Sequence, residues 1–277
     1  MGTIHYTRKL PDLAPVQAGA TAQVQIPRGP TYRYVMLKYS ANGVAANEAT
    51  MKADIKRVSF KINGIERWSA SATRIIDIVT RYYGESFTDG ILFIPLSRAN
   101  LATMAGIDNT AWGTANIDTL HMEVELNAGA VTPKLEAHAV VDPEARALGA
   151  IIEVHETQFS TAVAGIFEIS TLVKSRGQLI SMHCANANID ALEVAIDQTD
   201  FQNVDLDVLE VLYKRKPSER VPQAGYRHFD PVFLNRLADV LPMRAEDWRL
   251  KLDLSAAGSV GIFMETLNEP LGPSRSA

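Results

Sequence analysis

Between Ile55 and Trp68 the chain alternates apolar and polar residues with a period of two, Val58, Phe60 and Ile62 against Ser59 and Lys61. That is the pattern of a half-buried strand. Asn63-Gly64 follows, a pair that accepts positive φ at both central positions of a tight turn, and Ile65, Arg67 and Trp68 lead back. The stretch therefore predicts a β-hairpin. A cognate recurs downstream, where Leu192 to Ile196 leads into Asp197-Gln198 and then Thr199-Asp200-Phe201. The second copy makes the hairpin an organising element.

Around the first hairpin the pattern predicts an irregular arm over residues 1–19, interrupted by Pro11 and Pro15 and ended by Gly19. A short strand over Ala22 to Ile26, a Pro27-Arg28-Gly29-Pro30 turn and a long aromatic strand from Tyr32 to Tyr39 come next. Residues 40–54 read as a loop of small residues. Ala72 to Tyr83 places Ile75, Ile76, Val79, Tyr82 and Tyr83 on one helical face, with Ser71 as N-cap and Gly84 as the stop. A strand from Ile91 to Leu96, a helical turn between Arg98 and Gly106, and two alternating strands at 119–127 and 133–141 close the half at Asp142-Pro143.

The second half keeps the same order. Ile166 to Leu172 is a strand, Lys174-Ser175-Arg176-Gly177 takes the place of the first turn, and Gln178 to Cys184 answers Tyr34 to Ser40. After the second hairpin, Asn203 caps a helix whose Leu206, Leu209, Leu212 and Tyr213 share a face. A strand, proline and helical turn between Tyr226 and Leu241 precede the closing pair, Trp248 to Leu254 and Val260 to Leu267, joined through Ala256-Ala257-Gly258. Corresponding elements in one order signal an internal duplication. Eight strands per half with uneven connections predict an all-β chain of two tandem eight-stranded antiparallel jelly rolls with short intervening helices. The expected domains are 1–145, including the arm, and 146–277.

Composition narrows the function classes. The 277 residues are 47% hydrophobic and 21% charged, enough apolar material for two packed cores. A net charge of -5, with no basic run longer than Lys214-Arg215-Lys216, offers no footprint for a phosphate backbone, so direct nucleic-acid binding is not expected. The single cysteine, Cys184, excludes an internal disulfide framework and suits a reducing cytosol. No apolar run reaches the roughly 20 residues of a membrane span, and the start MGTIHYTRKLPDL shows no signal-peptide core.

IPRGPTYRYVMLKYS, IKRVSFKINGIERW, FEISTLV with NIDALEVAIDQTDF, the closing DWRLKLDLS and GIFMETL, and the arm segment LPDLAPVQAG together resemble the major capsid protein of corticoviruses, icosahedral membrane-containing phages of marine bacteria. The likeness is colinear over most of the chain. It departs at 40–54, 98–115 and 214–230. The resemblance implies a double jelly-roll subunit made in the host bacterial cytoplasm and built into the virion. It also implies homotrimers of pseudo-hexagonal outline that tile a shell around an internal membrane, with minor capsid and vertex proteins as further partners. The arm, with Arg8 and Lys9 beside Leu10 and Leu13, is the segment expected to touch that membrane.

Candidate chemistry is sparse. The histidines His5, His121, His138, His155, His183 and His228 are scattered without HxH or HxxxH spacing, which argues against the metal centre of cupin-type jelly-roll enzymes. No GxSxG, phosphate loop or CxxC occurs, so no catalytic residue and no required cofactor are expected. Asp205, Asp207 and Glu210 cluster at a helix start, where carboxylates suit the macrodipole; they are also the calcium candidates, with Glu123 and Glu125 as a second pair. His155-Glu156 reads as a solvated strand edge, and Cys184 as a small buried residue. Tyr32 and Tyr34, on one face of a strand, read as core or interface, or as a sugar-stacking platform with Tyr39. The alternative function is thus a carbohydrate-binding β-sandwich module.

Overall fold

The computed structural model describes residues 5–170, 172, 177–244 and 247–268. Two compact units emerge, one of residues 5–81 and 85–154, the other of Tyr82–Gly84 and 155–268.

In the first unit the alternating segments become β1 (Tyr6–Lys9), β2 (Thr21–Gln25), β3 (Thr31–Ala41), β4 (Val44–Ala45), β5 (Ile55–Ile62), β6 (Ile65–Ala70), β7 (Ile91–Pro95), β8 (Leu120–Leu126) and β9 (Lys134–Asp142). One sheet runs β7-β3-β9-β1, with β4 on the end of β3; the other runs β6-β5-β8-β2. Strand β8 shows the rule behind them: Leu120, Met122, Val124 and Leu126 are buried while His121, Glu123 and Glu125 face outward. Each fully buried side chain of that size contributes about 1.5–3 kcal/mol. The hairpin turn has φ of 50° at Asn63 and 78° at Gly64, and Phe60 and Trp68 face each other across it, ring centroids 5.7 Å apart edge to face.

β10 (Ile151–Thr161) carries the chain onward: Val154 pairs in parallel with Trp68, and residues 155–161 belong to the second unit. The two compact units divide between Val154 and His155. The second unit continues with β11 (Gly165–Ile169), β12 (Gln178–Ala185), β13 (Ile189–Ile196), β14 (Thr199–Gln202), β15 (Tyr226–Phe229), β16 (Leu241–Pro242), β17 (Trp248–Leu254) and β18 (Gly258–Asn268). Its sheets run β15-β12-β18-β10 and β14-β13-β17-β11, with β16 on β12. With β4 and β16 set aside, these orders repeat those of the first unit strand for strand, eight to a unit, in the double jelly-roll plan. The second hairpin turn repeats too, with φ of 47° at Asp197 and 68° at Gln198 and no glycine. Met182, Cys184, Leu192, Val194, Leu252 and Ile262 form its core.

Several expectations change. Residues 6–9 are not irregular but pair with His138–Val141, and Leu10 and Leu13 are buried, because a sheet edge at β9 accepts a further strand. The loop at 40–54 contains β4 and helix α1 (Glu48–Asp54), started by Asn47, whose side chain accepts the Thr50 N–H, and anchored by buried Met51. Ser71 caps α2 (Ala72–Arg74) as expected, but the helix widens into a π-helix over Ile75–Tyr82, where the Thr80 hydroxyl donates to the Ile75 carbonyl. Helix α3 occupies Met104–Thr110, later than the turn expected at 98–106, capped by Thr103. Helix α4 (Leu206–Lys214) begins after Asp205 rather than Asn203. The Lys174-Ser175-Arg176 turn lies outside the described residues.

Candidate functional site

The buried ionisable groups of the first unit are locked into the fold. Register slips between Tyr32 and Tyr34 in the β3·β9 ladder, leaving Arg33 as the extra residue of a bulge. The bulge turns the Arg33 side chain inward and breaks the expected shared face of Tyr32 and Tyr34: Tyr32 is fully buried, Tyr34 only partly. Arg33 Nε donates to both oxygens of Asp142 at 2.9 and 3.0 Å, and Nη2 reaches Asp108 at 2.5 Å. His5 also bonds Asp142. Burial would raise the Asp142 carboxyl, but the hydrogen bonds from Arg33 and His5 prevail and hold it below the usual carboxylate range. Tyr39 donates to Asp54 at 2.7 Å, and burial pushes the Tyr32 phenol up to about 12, so both tyrosines stay neutral donors.

In the second unit a directed chain of hydrogen bonds runs through the core. His183 and His228 face each other across β12 and β15, Nδ1 to Nδ1 at 2.7 Å. The backbone N–H of Gln223 can only donate, and it meets His228 Nε2 at 3.1 Å. Neutral His228 therefore carries its proton on Nδ1 and donates to His183. His183 donates from Nε2 to Ser181 Oγ (3.1 Å), and Ser181 donates to Glu265 (2.6 Å), which also accepts from Tyr83. Tyr82 stacks on His228 at 4.4 Å. Burial first, then the neighbouring His183 and Arg227, depresses His228 well below its ordinary value. Ser181, His183, His228 and Glu265 are all buried, so the chain braces the unit and presents no nucleophile to solvent. Histidine spacing gave no hint of this pair; only strand register brings together residues so far apart in sequence.

The calcium candidates are not brought together. Asp205 stands at the N-cap of α4 without a side-chain capping bond, Asp207 lies in its first turn, and Glu210 pairs with Lys214 at 2.9 Å. Asp207 and Glu210, three positions apart, share one side of the helix, but Asp205 stands outside it at the cap. Among the described residues no three His, Cys, Asp or Glu side chains form a metal-holding group. Glu123 and Glu125 pair instead with Lys61 and Lys56. Cys184 is buried, His155 is half-buried and Glu156 is exposed on β10. A sugar platform lacks its rings: Tyr32, Tyr39, Trp68, Trp112 and Trp248 are all buried. The arm leucines expected to meet lipid, Leu10 and Leu13, are only 2% and 5% exposed.

What remains open is an apolar surface. The α4 face expected to be buried is only partly so: Tyr213 is buried and Leu206 and Leu209 are half-buried, while Leu212 joins Phe201, Val204, Val208 and Val211 as large apolar side chains each at least 43% exposed. A patch of this kind marks a contact surface, since water is displaced from it when a partner covers it.

Two family models match the chain in tandem, the viral coat protein P2 N-terminal domain over residues 7–142 and the viral coat protein P2 C-terminal domain over residues 151–270. Among curated proteins the chain is similar to major capsid protein P2 of Pseudoalteromonas phage PM2, 23% identical over 266 residues that cover 90% of this chain and 92% of that one. The crystal structure of major capsid protein P2 from bacteriophage PM2 matches with a TM-score of 0.85 at 20% identity, covering 99% of this chain and 100% of that one. The crystal structure of the STIV MCP matches at 0.67 and 14% identity, covering 99% of each chain. A chain of the PBCV-1 virus capsid matches at 0.65 and 10%, covering 96% and 94%.

Proposed function

Because the chain belongs to the viral coat protein P2 family, we propose that it assembles as a homotrimer whose six jelly rolls form a pseudo-hexagonal tile of an icosahedral phage shell. The observation that carries this reading is the strand-for-strand repetition of one roll within a single chain. Two similar rolls in each of three copies supply six similar flanks, and a heterologous contact between unlike rolls closes such a ring. Obligate interfaces of this kind bury roughly 2,000 Å² or more around an apolar centre. The exposed valines and leucine of α4 supply apolar surface of the required type.

In this reading the chain is a structural component without a catalytic site, located in the virion, with an internal membrane and minor capsid and vertex proteins as neighbours. Burial of Leu10 and Leu13 moves the arm away from a lipid-anchoring role and toward completing a sheet. Native mass spectrometry and negative-stain imaging of the purified protein test the proposal. Trimers with a hexagonal outline are expected; only monomer at high protein concentration would refute it.

A further inference from the structure

The second unit covers one sheet face that the first unit leaves half open. In the β12·β18 ladder the register slips between Leu179 and Ser181, leaving Ile180 as the extra residue of a bulge, as Arg33 is in the β3·β9 ladder. The two bulges align the rolls residue by residue, Ser181 with Tyr34 and His183 with Met36. Their ladder partners then match as well: Glu265 with Val140 through β18 and β9, and His228 with Phe93 through β15 and β7. In the second unit all four positions are buried, because two tyrosines lie over them. Tyr82 meets the His183 and His228 rings at 4.7 and 4.4 Å, and Tyr83 donates to Glu265. Tyr82–Gly84 belong to this unit and end the helical segment between β6 and β7.

The matching face of the first unit keeps Tyr34, Met36, Phe93 and Val140 half-buried and Lys38 exposed, with the Tyr34 and Phe93 rings 5.1 Å apart. Aromatic and apolar side chains gathered on an outer sheet face mark a contact surface. By the same repeat, the element that corresponds to the helical segment between β6 and β7 is the helix between β14 and β15, which is α4. Its Val208, Val211 and Leu212 are exposed. Charge complements the fit, since Asp205 and Asp207 at the start of α4 and Lys38 on the sheet form no ion pair among the described residues. On the premise of the homotrimer, we propose that α4 of one copy packs across β7, β3 and β9 in the first unit of the next copy. Its valines and Leu212 cover Met36, Phe93 and Val140, and its acidic start meets Lys38. A helix-to-sheet contact is the unlike pairing that a heterologous ring requires, because each copy offers both halves and neither half pairs with itself.

The test adds cysteines to the full-length protein, whose native Cys184 is fully buried and stays unreactive. A double variant carries Lys38→Cys with Val208→Cys or Val211→Cys, is treated with a short bismaleimide and is resolved by denaturing electrophoresis, with native mass spectrometry on the same sample. Covalent trimers linked between position 38 and α4 are expected, and only single chains from each single-cysteine variant. Val211→Asp, at an exposed position, is expected to raise the concentration at which trimers half-dissociate at least about tenfold, the loss of one well-packed contact, without lowering the melting temperature of the monomer. Native trimers that give no link between chains from position 38 to α4, that link α4 to α4, or that keep their full affinity in Val211→Asp would overturn this contact and leave the trimer standing. Monomer alone in native mass would overturn both.

Discussion

Replacing Asp142 by leucine tests whether the bulge in β3 is held by charge. The Asp142 side chain is fully buried and that of Arg33 is 5% exposed, with Nε 2.9 and 3.0 Å and Nη2 2.8 Å from the carboxylate oxygens. Asp142→Leu leaves the guanidinium buried with Asp108 alone, whose side chain is 32% exposed. Breaking a buried pair by removing one partner costs about 3–5 kcal/mol, because the survivor keeps its desolvation penalty and loses its compensation. Arg33→Met is expected to cost a comparable amount, because it leaves buried Asp142 with His5 alone. The double variant removes both charges and restores volume, so it should lie within about 1 kcal/mol of the parent or above it.

Scanning calorimetry reads these differences in the first unit's transition, where about 3–5 kcal/mol corresponds to a fall of roughly 6–20 °C. Acid gives an independent reading. The folded carboxyl of Asp142 titrates below its ordinary value of 3.8, so the unfolded chain takes up the proton first. Its contribution is complete above that value and is lost as pH falls through the folded value; an Asp142→Asn variant should lack this loss. Single variants that each cost under about 1 kcal/mol, or a double variant that costs their sum, would refute the argument.

Four further outcomes follow from the same geometry. Gln198→Gly should stabilise the second unit by up to about 1 kcal/mol, measured by urea denaturation, because Gln198 holds a φ of 68° that costs a residue with a Cβ. Lowering the pH below the ordinary histidine value of 6.5 should destabilise the second unit, since depressed His228 protonates first in the unfolded chain; melting temperature against pH should flatten in His228→Gln. Deleting residues 1–14 removes β1 with buried Leu10 and Leu13, so it should lower stability by roughly 3–6 kcal/mol and expose β9 to aggregation, both visible in melting and light scattering. Chelation with EGTA should leave the melting temperature unchanged, because Asp205, Asp207 and Glu210 do not converge; a fall of several degrees would place a calcium ion in the structure.

Much of this architecture is written in local pattern. Alternation marked β3, β5, β8, β9, β12, β13 and β17, and Asn63-Gly64 and Asp197-Gln198 marked the two turns, because period-two burial and positive φ are properties of a few adjacent residues. The duplication was legible for the same reason, since it repeats those local signals in order. Tertiary structure alone decided the rest. Whether residues 6–9 form a strand depends on an open edge at β9, and whether Arg33 points inward depends on a slipped register with β9, neither encoded nearby. His183 meets His228 only because strands distant in sequence are laid side by side. The helical face of α4 looked like core by its spacing, yet spacing reports that a face is apolar and not what covers it; that is settled by which neighbours the fold places there.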